Sequence, residues 1–118
     1  MSSIVSSHSP DAERRAADVL IAGGLVGLPT ETVYGLAACA NNDDAVKKIF
    51  LAKGRPVGHP LILHIADLTE IHRYAIEVPP EAITLVEQCW PGPLTLLLRK
   101  SSEVSHVVTG GRETVAIR

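Results

Sequence analysis

Aromatic side chains are scarce in this chain: Tyr34, Phe50, Tyr74 and Trp90 complete the set. Modules that read single-stranded RNA stack bases on aromatic platforms, so that class is disfavoured at the outset. Cysteine is equally sparse. Cys39 and Cys89 form neither a disulfide framework nor a CxxC pair, a usage that fits a reducing compartment. No apolar run approaches the roughly 20 residues a membrane helix needs, which argues against a membrane partner. Met1 to Asp11 lacks the apolar stretch of a signal peptide, so the expected compartment is the cytoplasm. A dominant charge sign is also missing. The formal net charge of −2 gives no positive field for nucleic acid.

What is present suits one folded domain. A chain of 118 residues with 46% hydrophobic side chains can build a single core, and 20% charged residues do not suggest disorder. Charge is unevenly spread. Residues 61–90 set five acidic groups against Arg73, whereas Lys47, Lys48, Lys53 and Arg55 outnumber Asp43 and Asp44, and residues 91–118 are also net cationic. The two cationic stretches either converge on an anion or form two solvated faces; charge alone leaves both open.

Ser9-Pro10-Asp11 reads as a helix start, with serine as cap and proline at the first helical position. Ala12, Ala16, Val19 and Leu20 then line one face, and Gly23-Gly24 stops the helix. Leu25–Leu28 reads as a buried strand and Pro29–Gly35 as a polar loop. Asn42 caps a second helix with Ala45, Val46, Ile49, Phe50 and Ala52 inward and Lys47 and Lys48 outward. Two glycines and two prolines make Lys53–Pro60 a loop. Strands are expected at Leu61–Ile65, which contains His64, at Leu94–Leu98, at Val107-Val108 and at Val115–Arg118. Short helices are expected over about Leu68–Tyr74 and Pro80–Cys89, the latter broken by Pro91-Gly92-Pro93. Strands alternating with helices predict an α/β fold, a mixed twisted sheet with helices packed on it.

Several chemistries are excluded by motif. There is no GxxxxGK(S/T) phosphate loop, no GxGxxG, no HExxH or Cys/His zinc cluster and no GxSxG elbow. The remaining candidates are polar residues in loops beside apolar strands. Thr30, Glu31 and Thr32 follow a strand, where α/β sheets bind ligands, but the same pattern suits a helix-capping box. Lys53-Gly54-Arg55-Pro56 offers a point charge and a planar fork to phosphate oxygens, or is a solvated basic loop. His64 stands in an apolar strand, as a ligand-binding or a core histidine. Arg118 closes an apolar stretch, and a buried charge there requires an anionic partner.

These residues carry a resemblance. Leu28-Pro29-Thr30-Glu31-Thr32-Val33-Tyr34-Gly35-Leu36, Ile49-Phe50-Leu51-Ala52-Lys53-Gly54-Arg55-Pro56 and Pro60-Leu61-Ile62-Leu63-His64-Ile65 resemble the YrdC-type domain of threonylcarbamoyl-AMP synthases. So do Trp90-Pro91-Gly92-Pro93-Leu94-Thr95 and Thr114-Val115-Ala116-Ile117-Arg118, in matching order from about Ala12 onward. The resemblance implies an enzyme that joins L-threonine, bicarbonate and ATP into L-threonylcarbamoyladenylate and releases pyrophosphate. Partner proteins would then transfer the threonylcarbamoyl group to tRNA. Thr32, His64 and Arg118 match threonine-binding positions, while Arg55, His59 and Thr114 match ATP-binding ones. Lys53 belongs to a Lys-x-Arg signature whose cations, with Arg55, would offset triphosphate charge during catalysis. No protein-held metal is implied, and Mg2+ would accompany ATP.

His59 stands where the family more often has asparagine. Family domains also continue beyond this point, with further strands and a Ser-x-Asn motif. The expectation is therefore a flexible leader over 1–9 and the N-terminal portion of a YrdC-like domain over 10–118, truncated at its C-terminus and inactive alone, with Val115–Arg118 an unpaired edge. Two other functions share the domain type: a noncatalytic RNA-binding relative, and a carbamoyl-transfer domain of the hydrogenase-maturation type.

Overall fold

The computed structural model describes residues 3–118. Of the leader expected over 1–9, residues 1–2 lie outside the described residues; Ser6 to Ser9 forms a turn closed by the Ser9 amide on the Ser6 carbonyl (3.0 Å). Helix α1 spans Ala12–Ile21 with Asp11, not Ser9, at its N-cap. The reason lies in the backbone. Arg15 N donates to Asp11 O (2.9 Å), the first four-residue helical bond, whereas Ser9 O accepts Ala12 N (3.1 Å) in a tighter turn. Pro10 thus precedes the cap. The helix buries none of its residues, and Val19, expected inward, is 42% exposed.

Strands β1 (Val26–Leu28) and β2 (Gly35–Ala37) pair antiparallel, Val26 opposite Ala37 and Leu28 opposite Gly35. The second strand was not expected, because Gly-Leu-Ala has little intrinsic strand preference. Helix α2 spans Asp43–Lys53, and Asn42 caps it as expected, its side chain accepting from Ala45 N (3.1 Å). Asp43 and Asp44 complement the dipole at one end and Lys53 at the other. Ala45, Val46, Ile49 and Phe50 are buried, but Ala52 lies on the rim of that stripe and is exposed. Lys48 faces outward yet is not idle: its Nζ donates to Gly23 O (2.9 Å) and ties the end of α1 to α2. Gly54, in the left-handed region at φ 65°, ends α2 and lets Arg55 N reach Phe50 O (2.9 Å).

The principal sheet has four strands in the order β3-β6-β5-β4, namely Ile62–Leu63, Thr114–Ile117, Leu96–Lys100 and Ala75–Ile76. The last strand is therefore interior, correcting the expected unpaired edge. It pairs parallel with β3 (Leu63 opposite Ile117) and antiparallel with β5 (Leu96 opposite Ile117, Arg99 opposite Thr114). Its parallel partner lies far upstream, and local pattern carries no trace of such pairing. β5 starts two residues later than expected because Leu94 O accepts from Trp90 Nε1 (2.7 Å) within the turn. Val107-Val108 belongs to helix α5 (His106–Thr109), not to a strand. Ser105 Oγ caps it by accepting from Val107 N (3.1 Å), and left-handed Gly110 ends it, which outweighs the β-branched pair.

A 3-10 turn at Leu68–Glu70 leads into α3 (Ile71–Tyr74), and α4 runs from Pro80 to Cys89. The α/β fold with a mixed sheet is as expected. Phe50, Ile71, Val86 and Val108 from four helices meet Leu63, Leu96, Leu98, Val115 and Ile117 in one core. The helices thus cover one side of the sheet. On the other side Ile62 and Leu97 are exposed. No described helix is long and apolar enough to cross a membrane.

Ile117 is fully buried at the sheet's centre, so Ile117→Ala should lower unfolding free energy by about 2–5 kcal/mol in chemical denaturation. Val19→Ala should cost about 0.5 kcal/mol or less, as for an ordinary surface change. Equal losses would contradict the one-sided core.

Candidate functional site

Alternation along β6 positions the site. Val115 and Ile117 point into the core, so Thr114, Ala116 and Arg118 share the opposite face. The same rule on β3 buries Leu63 and turns Ile62 and His64 the other way. Arg118 and His64 arrive side by side because the parallel pairing continues past the strand ends: Arg118 N donates to Leu63 O (2.9 Å) and Ile65 N to Arg118 O (3.0 Å). His64 is exposed and contacts Ile62 O through Nδ1 (3.2 Å), which settles against a core histidine.

Thr32 reaches this end of the sheet from the β1–β2 connection. Its Oγ1 accepts from Arg118 Nη1 at 3.5 Å. The connection is shaped by Thr30, whose Oγ1 donates to Val33 O and accepts from Thr32 N (3.3 Å) and Val33 N (3.2 Å). This is a side-chain-closed turn with no helix after it, so the capping-box alternative does not apply. Beneath these groups lies a cavity of about 330 Å3 lined by Glu31, His64, Asp67, Trp90, Pro91, Gly92 and Arg118, among others. Arg118 Nε is buried without a hydrogen-bond partner among the described residues. An orphaned buried donor costs free energy, and the same side chain brings a positive charge to the cavity lining.

Thr114 lies at the other end of the same face. It lines a second cavity of about 290 Å3 with Pro60, Ile62, Leu97, Arg112 and Ala116. Lys53, Arg55 and His59 line neither cavity; all three are exposed on the loop between α2 and β3. That loop is held at Gly58, whose carbonyl accepts from Arg112 Nη1 (3.4 Å) and abuts Gly110. The structure therefore gathers Thr32, His64 and Arg118, sets Thr114 four residues along the same strand, and leaves the loop cations at the margin.

Sequence reasoning assigned no role to Asp67 or to Trp90-Pro91-Gly92, which form a wall. Asp67 Oδ1 accepts from Thr69 N and Thr69 Oγ1 (both 2.9 Å), and these bonds hold its carboxyl below the usual carboxylate range. An Asp-x-Thr before a short helix is the signal that could have found it.

Comparisons with known proteins add to this geometry. The Sua5/YciO/YrdC family model, described as "Telomere recombination", matches residues 18–118. The threonylcarbamoyl-AMP synthase of Pyrococcus abyssi is 54% identical over 105 residues, 89% of this chain and 31% of that protein. The Bacillus subtilis threonylcarbamoyl-AMP synthase is 50% identical over 115 residues, covering 97% of this chain and 33% of that protein. The crystal structure of Pyrococcus abyssi Sua5 complexed with L-threonine superposes with a TM-score of 0.86 at 54% identity, over 89% of this chain and 31% of that one. The chain thus spans about a third of the length of these relatives.

Two outcomes follow from the geometry. Gly110 is left-handed (φ 65°), and an added methyl would overlap the Gly58 carbonyl. Gly110→Ala should therefore displace the cationic loop and accelerate tryptic cleavage after Lys53, beyond any change in a comparably destabilised Val86→Ala control. An unchanged rate would show that Gly110 does not hold the loop. Asp67, with its carboxyl lowered from 3.8, stabilises the fold above the ordinary carboxylate range and loses this contribution as pH falls below about 3.8. The Thr69 amide should shift in that acidic window, as an NMR titration would read.

Proposed function

This chain belongs to the Sua5/YciO/YrdC family, and from that membership we propose that it carries the amino-acid end of an L-threonylcarbamoyladenylate synthase acting in the cytoplasm. Its substrates are L-threonine, bicarbonate and ATP, and its product serves proteins that modify tRNA. The observation that supports the reading is the Arg118 guanidinium, which lines one cavity with His64 while Thr32, outside the lining, contacts Arg118 Nη1. A planar fork suits a carboxylate bidentately, and a threonine hydroxyl with an imidazole suits a small hydroxylated ligand.

The chemistry asks little of covalent catalysis. The threonine ammonium gives up one proton to solvent, the free amine attacks the bicarbonate carbon, water leaves, and a carbamate forms. A carbamate oxygen then attacks the α-phosphorus of ATP, and pyrophosphate departs. Arg118, Thr32 and His64 hold the amino acid at one end of the open face. Thr114, four residues back on β6, stands where the adenylate would extend, with Arg55 and His59 as further nucleotide contacts. Lys53 and Arg55 offset charge on the triphosphate, so rate enhancement rests on positioning and electrostatics. Mg2+ would accompany the triphosphate oxygens, and no step here depends on a protein-held ion.

Calorimetry should detect L-threonine binding, and Arg118→Ala should weaken it by about 2–5 kcal/mol while leaving nucleotide affinity nearly unchanged. Unchanged threonine affinity would remove Arg118 from the site. Because Lys53, Arg55 and His59 stand in solvent, water has free access to a bound triphosphate. The 118-residue chain alone should release no appreciable pyrophosphate from threonine, bicarbonate, ATP and Mg2+. Turnover would show that the described face suffices for catalysis.

A further inference from the structure

An amino acid brings a cation as well as an anion, and the cavity under Arg118 offers two carboxylates that could meet it. Asp67 is anchored to its own turn, where Oδ1 takes both the amide and the hydroxyl of Thr69 while Oδ2 stays unbonded among the described residues. Glu31 has no such anchor. Its side chain makes no hydrogen bond or ion pair among the described residues, where the ion pairs are Arg73–Glu103 and Arg99–Glu77. It lines the same cavity as Arg118, and the two opposite charges stand apart without pairing.

The backbone explains why Glu31 is held there. It is one of the two central residues of the turn that Thr30 Oγ1 closes on Thr32 N and Val33 N, and the other, Thr32, contacts Arg118. A flexible loop would let a glutamate collapse onto a nearby guanidinium, but a side-chain-closed turn fixes the origin of its side chain. A carboxylate and a guanidinium that line one cavity without pairing form a receptor for a dipole. The α-amino acid zwitterion, whose ammonium and carboxylate sit on one carbon, has that chemistry.

We propose that Glu31 binds the substrate ammonium and makes the cavity selective for zwitterionic α-amino acids over simple hydroxy acids. This deepens the proposed synthase reading and rests on it. In this role Glu31 is a specificity residue: it orients the amino group, while the Arg118 fork takes the carboxylate.

The test is calorimetry on the chain with two probes, L-threonine and β-hydroxybutyrate, which lacks only the amino group. The unsubstituted chain should prefer L-threonine. Glu31→Gln, which keeps size and polarity, should weaken L-threonine about 10- to 100-fold, the scale of a charge-assisted hydrogen bond, and leave β-hydroxybutyrate within about twofold. A merely structural role would weaken both probes together, and that result would overturn the inference. So would threonine binding that Glu31→Gln leaves intact, with the synthase reading still standing. No threonine binding by the unsubstituted chain would overturn the reading itself, and the inference with it.

Discussion

The two-sided pairing of β6 is the constraint on which the rest depends. Four residues, Thr114 to Ile117, hold β3 on one side and β5 on the other. Their alternation sends Val115 and Ile117 into the core and Thr114, Ala116 and Arg118 to the open face. Packing and chemistry are thus assigned by one register. A slip of one residue would place Arg118 among the apolar side chains and expose Ile117, so the core enforces the geometry of the site.

Elsewhere the molecule separates the two tasks. Four helices cover one side of the sheet, and their interfaces are apolar. The site is assembled on the other side from loops and strand ends: the Thr30-closed turn, His64 just past β3, and the Trp90-Pro91-Gly92 wall. Helix α1 and the β1–β2 hairpin contribute little to the core, yet the hairpin delivers Thr32. Their anchorage is polar in part, through Lys48 on Gly23 O. The guanidinium of Arg118 carries a buried donor with no partner among the described residues, a local cost set beside the apolar core of the sheet.

Much of this was legible in the chain, for reasons that differ by element. Asn42 and Gly54 bracket α2 through side-chain and backbone chemistry that acts within a few residues, so both ends were readable. Proline at the first turn marked α4 equally well. Elements whose existence depends on distant partners were not readable. β4 is two residues long and exists because β5 lies beside it, and β6 looked like an edge because its parallel neighbour is remote. Val107-Val108 misled because β-branched residues suggest a strand, whereas Ser105 and Gly110 decide the conformation. At the site, Thr32, His64 and Arg118 were named in advance and meet in the fold, although their roles rest on resemblance. Asp67 escaped although the Asp-x-Thr pattern was present, because its bonds to the Thr69 amide and hydroxyl are local and say nothing of the cavity it lines.

The position of β6 also dictates an order of events during synthesis. β3 and β5 are not neighbours, because the strand that separates them is made after both. Until Thr114 to Ile117 have emerged, β3 has no partner and β5 has only the two-residue β4. The helices can form early, since their signals are local, but the apolar side chains of β3 and β5 must wait for a late insertion between them. Closing that sheet is a non-local step of the kind that slows folding and leaves strand edges open in the meantime. A nascent chain that has not yet made Thr114 to Ile117 is therefore open to mispairing at β3 and β5, and Arg118, directly behind that strand, joins His64 only when the gap has closed.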